Sequence, residues 1–213
     1  MELYTYFRST ASYRVRIVLN FKGLDYQSKP IHLLKGGGEQ FKENYRQINP
    51  MELVPTLIHD EKIITQSLAI IEYLEECFNK PAILPADIYK RAFVRSIAQA
   101  VCCDIHPLNN LRVLTYLKQV LDVSPESKKL WYANWITKGF TAIEIMVKDS
   151  ISAKYCCGDS ATLADVCLIP QVFNAIRFNV SLKPFPRIRQ IYEHCMTLPY
   201  FDEAKPESQL DAM

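Results

Sequence analysis

The pattern of apolar side chains changes near residue 80, and this change restricts the fold more than any other feature of the chain. Before it, short β-prone runs alternate with helical patterns in the order β-α-β-α-β-β-α. Later segments show helical spacing only, at about 86–120, 125–149, 162–178 and 186–197. The sequence therefore predicts an α/β domain over residues 1–80 and an all-helical domain over 88–213, joined by a linker over about 81–87.

The composition favours a globular protein and argues against two classes of partner. Hydrophobic residues make up 49% of the 213 residues, charged residues make up 23%, and the net charge is +2. Lysine and arginine are scattered, whereas a nucleic-acid groove needs a clustered basic face. No segment approaches the roughly 18 consecutive apolar residues of a membrane span, and the N-terminus does not resemble a signal peptide. We therefore expect a cytoplasmic protein without nucleic-acid or membrane partners.

The cysteines and histidines do not form a recognisable metal or disulfide framework. The chain has seven cysteines, an odd number, and four of them are sequence neighbours at Cys102-Cys103 and Cys156-Cys157. No CxxC motif occurs, and the four histidines are isolated. We expect reduced, mostly buried thiols and no metal site.

A polar stretch, Arg8-Ser9-Thr10-Ala11-Ser12, leads directly into the first helical pattern. Hydroxyl groups at a helix entrance can cap its free N–H groups. The same groups, together with the helix dipole, can instead hold an anion. The residues alone leave both interpretations open.

Two further motifs indicate a site for a ligand. In VPTL, a cis bond between Val54 and Pro55 would expose the backbone of Val54, although a trans turn proline is the commoner alternative. Gln66 and Ser67 stand where a predicted hairpin ends and a helix begins, so free N–H groups and a hydroxyl could bind a carboxylate there. Ser67 could also be an ordinary N-cap.

Together these motifs resemble the cytosolic glutathione transferase family, whose first domain has the thioredoxin-like order described above. The zeta class, which includes maleylacetoacetate and maleylpyruvate isomerases, resembles the chain most. The resemblance covers nearly all of the chain and lies in STASYRVRIVL, INPMELVPTL, TQSLAIIEYLEE, IHPLNNLRVL and TLADVCLIPQVFNAIRF. It implies a thioredoxin-like α/β domain followed by an all-α domain.

The resemblance also implies a glutathione site. The residues implied to contact glutathione are Ser9, Thr10, Ala11, Gln40, Val54, Pro55, Gln66, Ser67, His106 and Asn110. Among them Ser9 and Thr10 are implied to be catalytic, because hydroxyl donors and a helix N-terminus stabilise a thiolate. Ala11 stands where the class usually has cysteine, which argues against covalent chemistry by the enzyme itself but not against glutathione-dependent isomerisation.

Individual contacts follow from the same resemblance. Gln40 would meet the glycyl carboxylate, Val54 would pair with the cysteinyl backbone, and Gln66 with Ser67 would hold the γ-glutamyl carboxylate. His106 would line the site from the helical domain, with an ordinary structural histidine as the alternative.

Arginines are expected to select the substrate. Arg8, Arg112 and Arg177 stand at positions that the isomerases of this class use, or plausibly use, for substrate carboxylates, and a planar guanidinium binds a carboxylate through two hydrogen bonds. Each could instead be a solvated surface residue. Arg14 and Arg16 are expected to serve structure by pairing with acidic residues.

The resemblance thus implies a homodimeric, glutathione-dependent isomerase that converts maleylacetoacetate or maleylpyruvate to the fumaryl isomer in aromatic catabolism. One alternative is a general glutathione transferase acting on small α-haloacids or other electrophiles. Another is a non-catalytic protein that uses the fold for protein binding.

Overall fold

The computed structural model describes residues 1–148 and 154–212, which divide into two compact units. The first comprises Met1–Ala82 together with the segment from Thr197, and the second comprises Ile83–Met196. The C-terminal segment is therefore grouped with the α/β unit, whereas the sequence analysis placed it in the helical domain. Residues 149–153 and 213, which also belong to the predicted helical domain, lie outside the described residues.

Within residues 1–82 the observed elements follow the predicted order. The strands are β1 (Glu2–Thr5), β2 (Gln27–Pro30), β3 (Thr56–His59) and β4 (Lys62–Thr65). The α-helices are α1 (Thr10–Phe21), α2 (Glu43–Arg46) and α3 (Ser67–Cys77), and short 3-10 helices cover Lys35–Gly37 and Glu39–Phe41. The thioredoxin-like prediction is confirmed.

The four strands among residues 1–82 form one mixed sheet in the order β2-β1-β3-β4. β1 pairs in parallel with β2 and antiparallel with β3, and β3 and β4 form the predicted hairpin. β2 is an edge strand, in keeping with Pro30, which cannot donate a ladder hydrogen bond. Apolar side chains of the sheet and of α1 and α3, such as Leu3, Ile17 and Leu74, are fully buried and form the core.

The second unit contains only helices in its described residues, 83–148 and 154–196. They are α4 (Ile88–Gln99), α5 (Leu111–Gln119), α6 (Pro125–Met146), α7 (Leu163–Arg177) and α8 (Pro186–Cys195), with a π-helical turn at Ala100–Ile105 and a 3-10 helix at Pro107–Asn109. α7 packs against both α4 and α8 and is buried along most of its length. The all-α prediction for this part of the chain is confirmed. No described helix of the protein has the length and apolarity that a membrane crossing requires.

The C-terminal segment is held by side chains of α1. It contains a short helix, α9 (Pro199–Asp202), and a 3-10 helix at Pro206–Ser208. The hydroxyl of Tyr13 donates to the carbonyl of Phe201 at 3.1 Å, and Nε of Arg16 donates to the carbonyl of Ala204 at 3.0 Å. These hydrogen bonds explain why the segment belongs with the first unit.

All seven cysteines are free thiols, but fewer of them are buried than the sequence analysis predicted. Cys156, Cys167 and Cys195 are buried, whereas Cys77 and Cys103 are exposed. Cys77 is the last residue of α3, and Cys103 lies within the π-helical turn at Ala100–Ile105.

A fully buried carboxylate organises the start of α7. Asp165 accepts hydrogen bonds from the N–H of Cys156 at 2.7 Å and from both the N–H and the hydroxyl of Thr162 at 2.8 Å. Burial raises the pKa of Asp165, and these hydrogen bonds act in the opposite direction by favouring the carboxylate. The side chain therefore ties the loop before α7 to the first turn of this helix.

Replacing Asp165 with alanine should destabilise the protein by roughly 3 kcal/mol or more, because it leaves three buried donors without an acceptor. The exposed Asp159 is the matched control, and Asp159→Ala should stay within about 0.5 kcal/mol of the wild type. Urea unfolding measures both free energies. Equal losses in the two variants would contradict the role given to Asp165.

Candidate active site

Ser9 is the N-cap of α1. Its N–H donates to the carbonyl of Tyr6 at 2.9 Å, and its hydroxyl oxygen accepts from the N–H of Ser12 at 3.2 Å. The capping interaction uses a lone pair of this oxygen and leaves the hydroxyl proton for another acceptor. Capping and anion binding, which the sequence left as alternatives, are therefore compatible at this residue.

The two residues after Ser9 differ in what they can offer a ligand. Thr10 begins α1 and is only 3% exposed, whereas Ala11 is half-buried. The N–H of Ala11 lies in the first helical turn, where helix geometry provides no intrahelical acceptor. Ser9, which is also half-buried, is the more accessible of the two predicted catalytic hydroxyls. The entrance of α1 thus offers a hydroxyl, a backbone N–H and the positive end of the helix dipole.

The loop before β3 contains the predicted cis bond, between Val54 and Pro55. The carbonyl of the preceding residue, Leu53, accepts from the hydroxyl of Tyr45 at 2.6 Å and from Nδ2 of Asn49 at 2.7 Å. Val54 itself is largely buried. The loop is therefore held by side chains from α2 and the turn that follows it.

A second helix entrance lies at the start of α3. Gln66 occupies the N-cap position with a positive φ of 70° and makes no side-chain capping bond, so Ser67 is the first helical residue and not the cap. The hydroxyl of Ser67 accepts from Nη1 of Arg14 at 3.3 Å. The predicted alternative, Ser67 as an ordinary N-cap, is therefore wrong, and its hydroxyl is bound to a buried guanidinium.

Arg14 is a candidate ligand-binding residue for which the sequence predicted only a structural role. It is 2% exposed, and its Nε and Nη2 have no hydrogen-bond partner among the described residues. A buried guanidinium with two unsatisfied donors is costly unless an anion completes it. Its positive charge beside Ser67 adds to the positive end of the α3 dipole, so this entrance suits a carboxylate. No local signal marked Arg14, because its partner is 53 positions away.

Arg16, two positions further along α1, differs from Arg14 in that its guanidinium has several hydrogen-bond acceptors within the protein. It is fully buried and donates to the hydroxyl of Thr5 and the carbonyls of Tyr6, Phe7 and Ala204 at 3.0–3.4 Å. Desolvation lowers the pKa of Arg16 to about 10, so the group stays charged at neutral pH. The sequence analysis expected acidic partners for both arginines, but these hydrogen bonds go to neutral oxygens.

Gln40 is buried under a glycine-rich turn. Its Nε2 donates to the carbonyl of Leu33 at 3.4 Å, a long contact, and its Oε1 has no partner. Gly38 has a φ of 109°, a backbone conformation that residues other than glycine adopt only with strain, and a Cβ there would lie 2.7 Å from the amide of Gln40. Contact of Gln40 with a ligand carboxylate stays a prediction.

The remaining predicted residue of the first unit, Arg8, is exposed. Its guanidinium lies over the ring of Phe7, with the central carbon 4.8 Å from the ring centroid. Among the described residues no carboxylate forms an ion pair with Arg8. The charge next to Ser9 therefore has no ionic partner among the described residues of the first unit.

In the second unit, three of the predicted residues share the segment before and within α5. His106 and Asn110 are half-buried, and Arg112 is exposed. Asn110 caps α5, because its Oδ1 accepts from the N–H of Arg112 at 3.1 Å. Its Nδ2 amide keeps its donors for other partners.

The segment before α5 is held to α6 by two hydrogen bonds. Nε1 of Trp131 donates to the carbonyl of Leu108 at 2.8 Å, and Nδ2 of Asn109 donates to the carbonyl of Tyr132 at 3.1 Å.

The last predicted site residue of this unit, Arg177, is exposed and ends α7. The two predicted substrate arginines of the second unit are thus both exposed and belong to different helices, α5 and α7.

Comparison with known proteins identifies the family. Residues 3–82 match the family model of the glutathione S-transferase N-terminal domain. A probable maleylacetoacetate isomerase of Vibrio cholerae is 46% identical, over 99% of this chain and 97% of the relative.

Solved structures of related proteins have the same fold as this chain. The holo structure of a maleylpyruvate isomerase, a bacterial glutathione S-transferase of the zeta class, has a TM-score of 0.95 at 42% identity and covers 100% of both chains. A maleylacetoacetate isomerase of Methylobacterium extorquens AM1, with bound malonate and GSH, also has a TM-score of 0.95, at 33% identity over 100% of both chains.

The resemblance found in the sequence motifs is therefore confirmed, and it extends over the whole length of the chain. The fold order, the hydroxyl-bearing entrance of α1 and the cis bond before β3 all agree with it. This chain belongs to the zeta class of the glutathione transferase family.

Proposed function

We propose that the protein is an enzyme that uses glutathione to isomerise a maleyl diketo acid, maleylacetoacetate or maleylpyruvate, to its fumaryl isomer. This reaction would serve the breakdown of aromatic amino acids or related aromatic compounds. The structural observation that carries the glutathione part is the buried guanidinium of Arg14 beside Ser67, because a ligand carboxylate would supply acceptors for its two unsatisfied donors. The relatives named above support the isomerase part.

The residues present fit glutathione. A free carboxylate, such as that of its γ-glutamyl group, would complete the charge at the entrance of α3, next to Gln66 and Ser67. The backbone of Val54 would pair with the cysteinyl residue beside Pro55. Gln40, with an unsatisfied Oε1 and a weakly bound Nε2, would face the glycyl end. His106 and Asn110 are also proposed to contact glutathione.

The entrance of α1 would hold the sulfur. A free thiol has a pKa of about 8.5, so it is mostly protonated at neutral pH. The hydroxyl proton of Ser9, the N–H of Ala11 and the dipole of α1 would each favour the thiolate. Thr10 would support this arrangement from its buried position.

Glutathione supplies a thiolate that adds reversibly to the cis double bond, so that rotation about the resulting single bond can precede elimination to the trans isomer. The arginines would hold the substrate carboxylates and stabilise the negative charge that develops on the substrate during the reaction. The arginines proposed for this role are Arg8, Arg112 and Arg177. A carboxylate-binding set of this kind fits a dicarboxylic substrate better than a neutral electrophile.

The family also leads us to propose a homodimer in the cytoplasm. Small molecules are the expected ligands, since the M. extorquens relative holds GSH and the dicarboxylate malonate.

Replacing Ser9 with alanine should raise the pKa of the bound glutathione thiol and lower turnover by about 10² or more, the usual effect of removing such a donor. Ser124, whose hydroxyl caps α6 at 3.1 Å from the N–H of Ser127, provides the matched control. Each variant should lose about 1 kcal/mol of stability through its lost cap, but Ser124→Ala should keep full activity. Thiolate absorbance against pH measures the shift, and an unchanged titration in Ser9→Ala would rule out the proposed role.

Replacing Arg14 with methionine should have opposite effects on stability and binding. The free protein should be at least as stable as the wild type, because an uncompensated buried charge is removed. The affinity for glutathione should fall about tenfold or more, because a charge-assisted hydrogen bond is worth roughly 1.5–3 kcal/mol. Thermal unfolding and isothermal titration calorimetry measure the two effects.

Cysteinylglycine, which lacks the γ-glutamyl carboxylate, is the control ligand for Arg14→Met. Its affinity should be the same in the variant and the wild type. If the variant bound glutathione with wild-type affinity, the assignment of this entrance to a carboxylate would be wrong.

Single changes of Arg8, Arg112 and Arg177 to methionine should each lower kcat/KM for the diketo acid about ten- to a hundredfold, at about 1.4 kcal/mol per decade. Conjugation of a neutral chloronitrobenzene should barely change, because this substrate has no carboxylate. Full isomerase activity in all three variants would overturn the proposed role of the arginines. A wild type that conjugates neutral electrophiles well and isomerises nothing would favour the general transferase.

A further inference from the structure

The backbone at the end of α7 is fixed by hydrogen bonds that follow Arg177. The N–H of Val180 donates to the carbonyl of Ala175 at 2.8 Å, and the N–H of Asn179 donates to that of Ile176 at 3.0 Å. Asn179 has a positive φ of 58°, so these bonds form a Schellman motif. Because the backbone is held in this way, the position of the Arg177 charge depends on its side-chain rotamer.

Phe178, the C-cap of α7, is itself held by a buried ring. The rings of Phe178 and Tyr132 stack with centroids 3.9 Å apart and an interplanar angle of 24°. Tyr132 is 3% exposed, whereas Phe178 is 40% exposed. The carbonyl of Tyr132 also accepts from Asn109, which fixes this part of α6. Phe178 therefore presents a stationary aromatic surface at the end of α7.

The guanidinium of Arg177 lies against this surface. Its central carbon is 5.1 Å from the centroid of Phe178, within the range of a cation–π interaction. Burial raises the pKa of Tyr132 and keeps its hydroxyl neutral, although the charge of Arg177 acts in the opposite direction. Among the described residues no carboxylate pairs with Arg177. The charge is thus supported by an aromatic ring while its hydrogen-bond donors stay available for a ligand.

We propose that Phe178, held by Tyr132, is a positioning residue that keeps the guanidinium of Arg177 oriented for a carboxylate of the substrate. This inference rests on the proposed function, in which Arg177 binds the substrate. A long arginine side chain loses conformational entropy when it binds a ligand. Stacking on a ring already restricts the side chain before the ligand binds, so less entropy is lost on binding. The ring would act on substrate binding and leave the thiolate site unaffected.

The test compares Phe178→Leu with Phe178→Tyr, alone and combined with Arg177→Met. Two quantities are measured for each variant: the KM for the diketo acid, and the affinity of the glutathione-saturated protein for malonate by calorimetry. Phe178→Leu should raise both KM and the malonate Kd about two- to fivefold, the size of an exposed cation–π interaction, with kcat and the glutathione Kd unchanged. Phe178→Tyr keeps the aromatic surface, so its KM for the diketo acid and its Kd for malonate should equal those of the wild type.

The double variant separates positioning from a merely structural role. In the Arg177→Met background, Phe178→Leu should have no further effect, because the group that it positions is gone. A further loss of the same size there, or an equal loss with Phe178→Tyr, would overturn this inference and leave the proposed function intact. If Arg177→Met changed neither KM nor malonate affinity, the substrate role of Arg177 would fail and this inference with it.

Discussion

The buried guanidinium of Arg16 is the interaction on which the candidate active site depends. It donates to Thr5 at the end of β1, to the carbonyls of Tyr6 and Phe7, and to the C-terminal segment at Ala204. A single side chain thereby holds the loop that carries Arg8 and Ser9 in place, and it fastens the end of the chain to the α/β unit.

Arg14 and Arg16 show how one helix can serve structure and function with the same residue type. Residues two apart on a helix face different sides, so the two guanidinium groups enter different surroundings. Arg16 has four oxygen acceptors within the protein, whereas Arg14 has only the hydroxyl of Ser67 among the described residues. The satisfied group stabilises the fold, and the unsatisfied group is one that a ligand carboxylate would complete.

Local signals in the sequence predicted much of the fold and the polar residues at the N-termini of α1 and α3. The period of the apolar residues gave the order of strands and helices, and hydroxyl residues marked the start of α1. Contacts between distant positions could not be predicted in this way. Arg14 lies 53 positions from Ser67, and Tyr13 lies 188 positions from Phe201, so neither the contact of Arg14 with Ser67 nor the placement of the C-terminal segment had a local signal. The stack of Phe178 on Tyr132 likewise needed the packing of α6 and α7.

Ala11 leaves the loop at α1 without a thiol of its own, and in the proposed reaction the attacking sulfur is that of glutathione, which is regenerated in each cycle. The most direct test supplies glutathione at about one hundredth of the diketo acid concentration and follows the fumaryl product by NMR together with free glutathione. We predict complete isomerisation with the glutathione recovered unchanged, and no reaction with S-methylglutathione. Product that stops at one equivalent of glutathione, or that forms equally well with S-methylglutathione, would contradict the account.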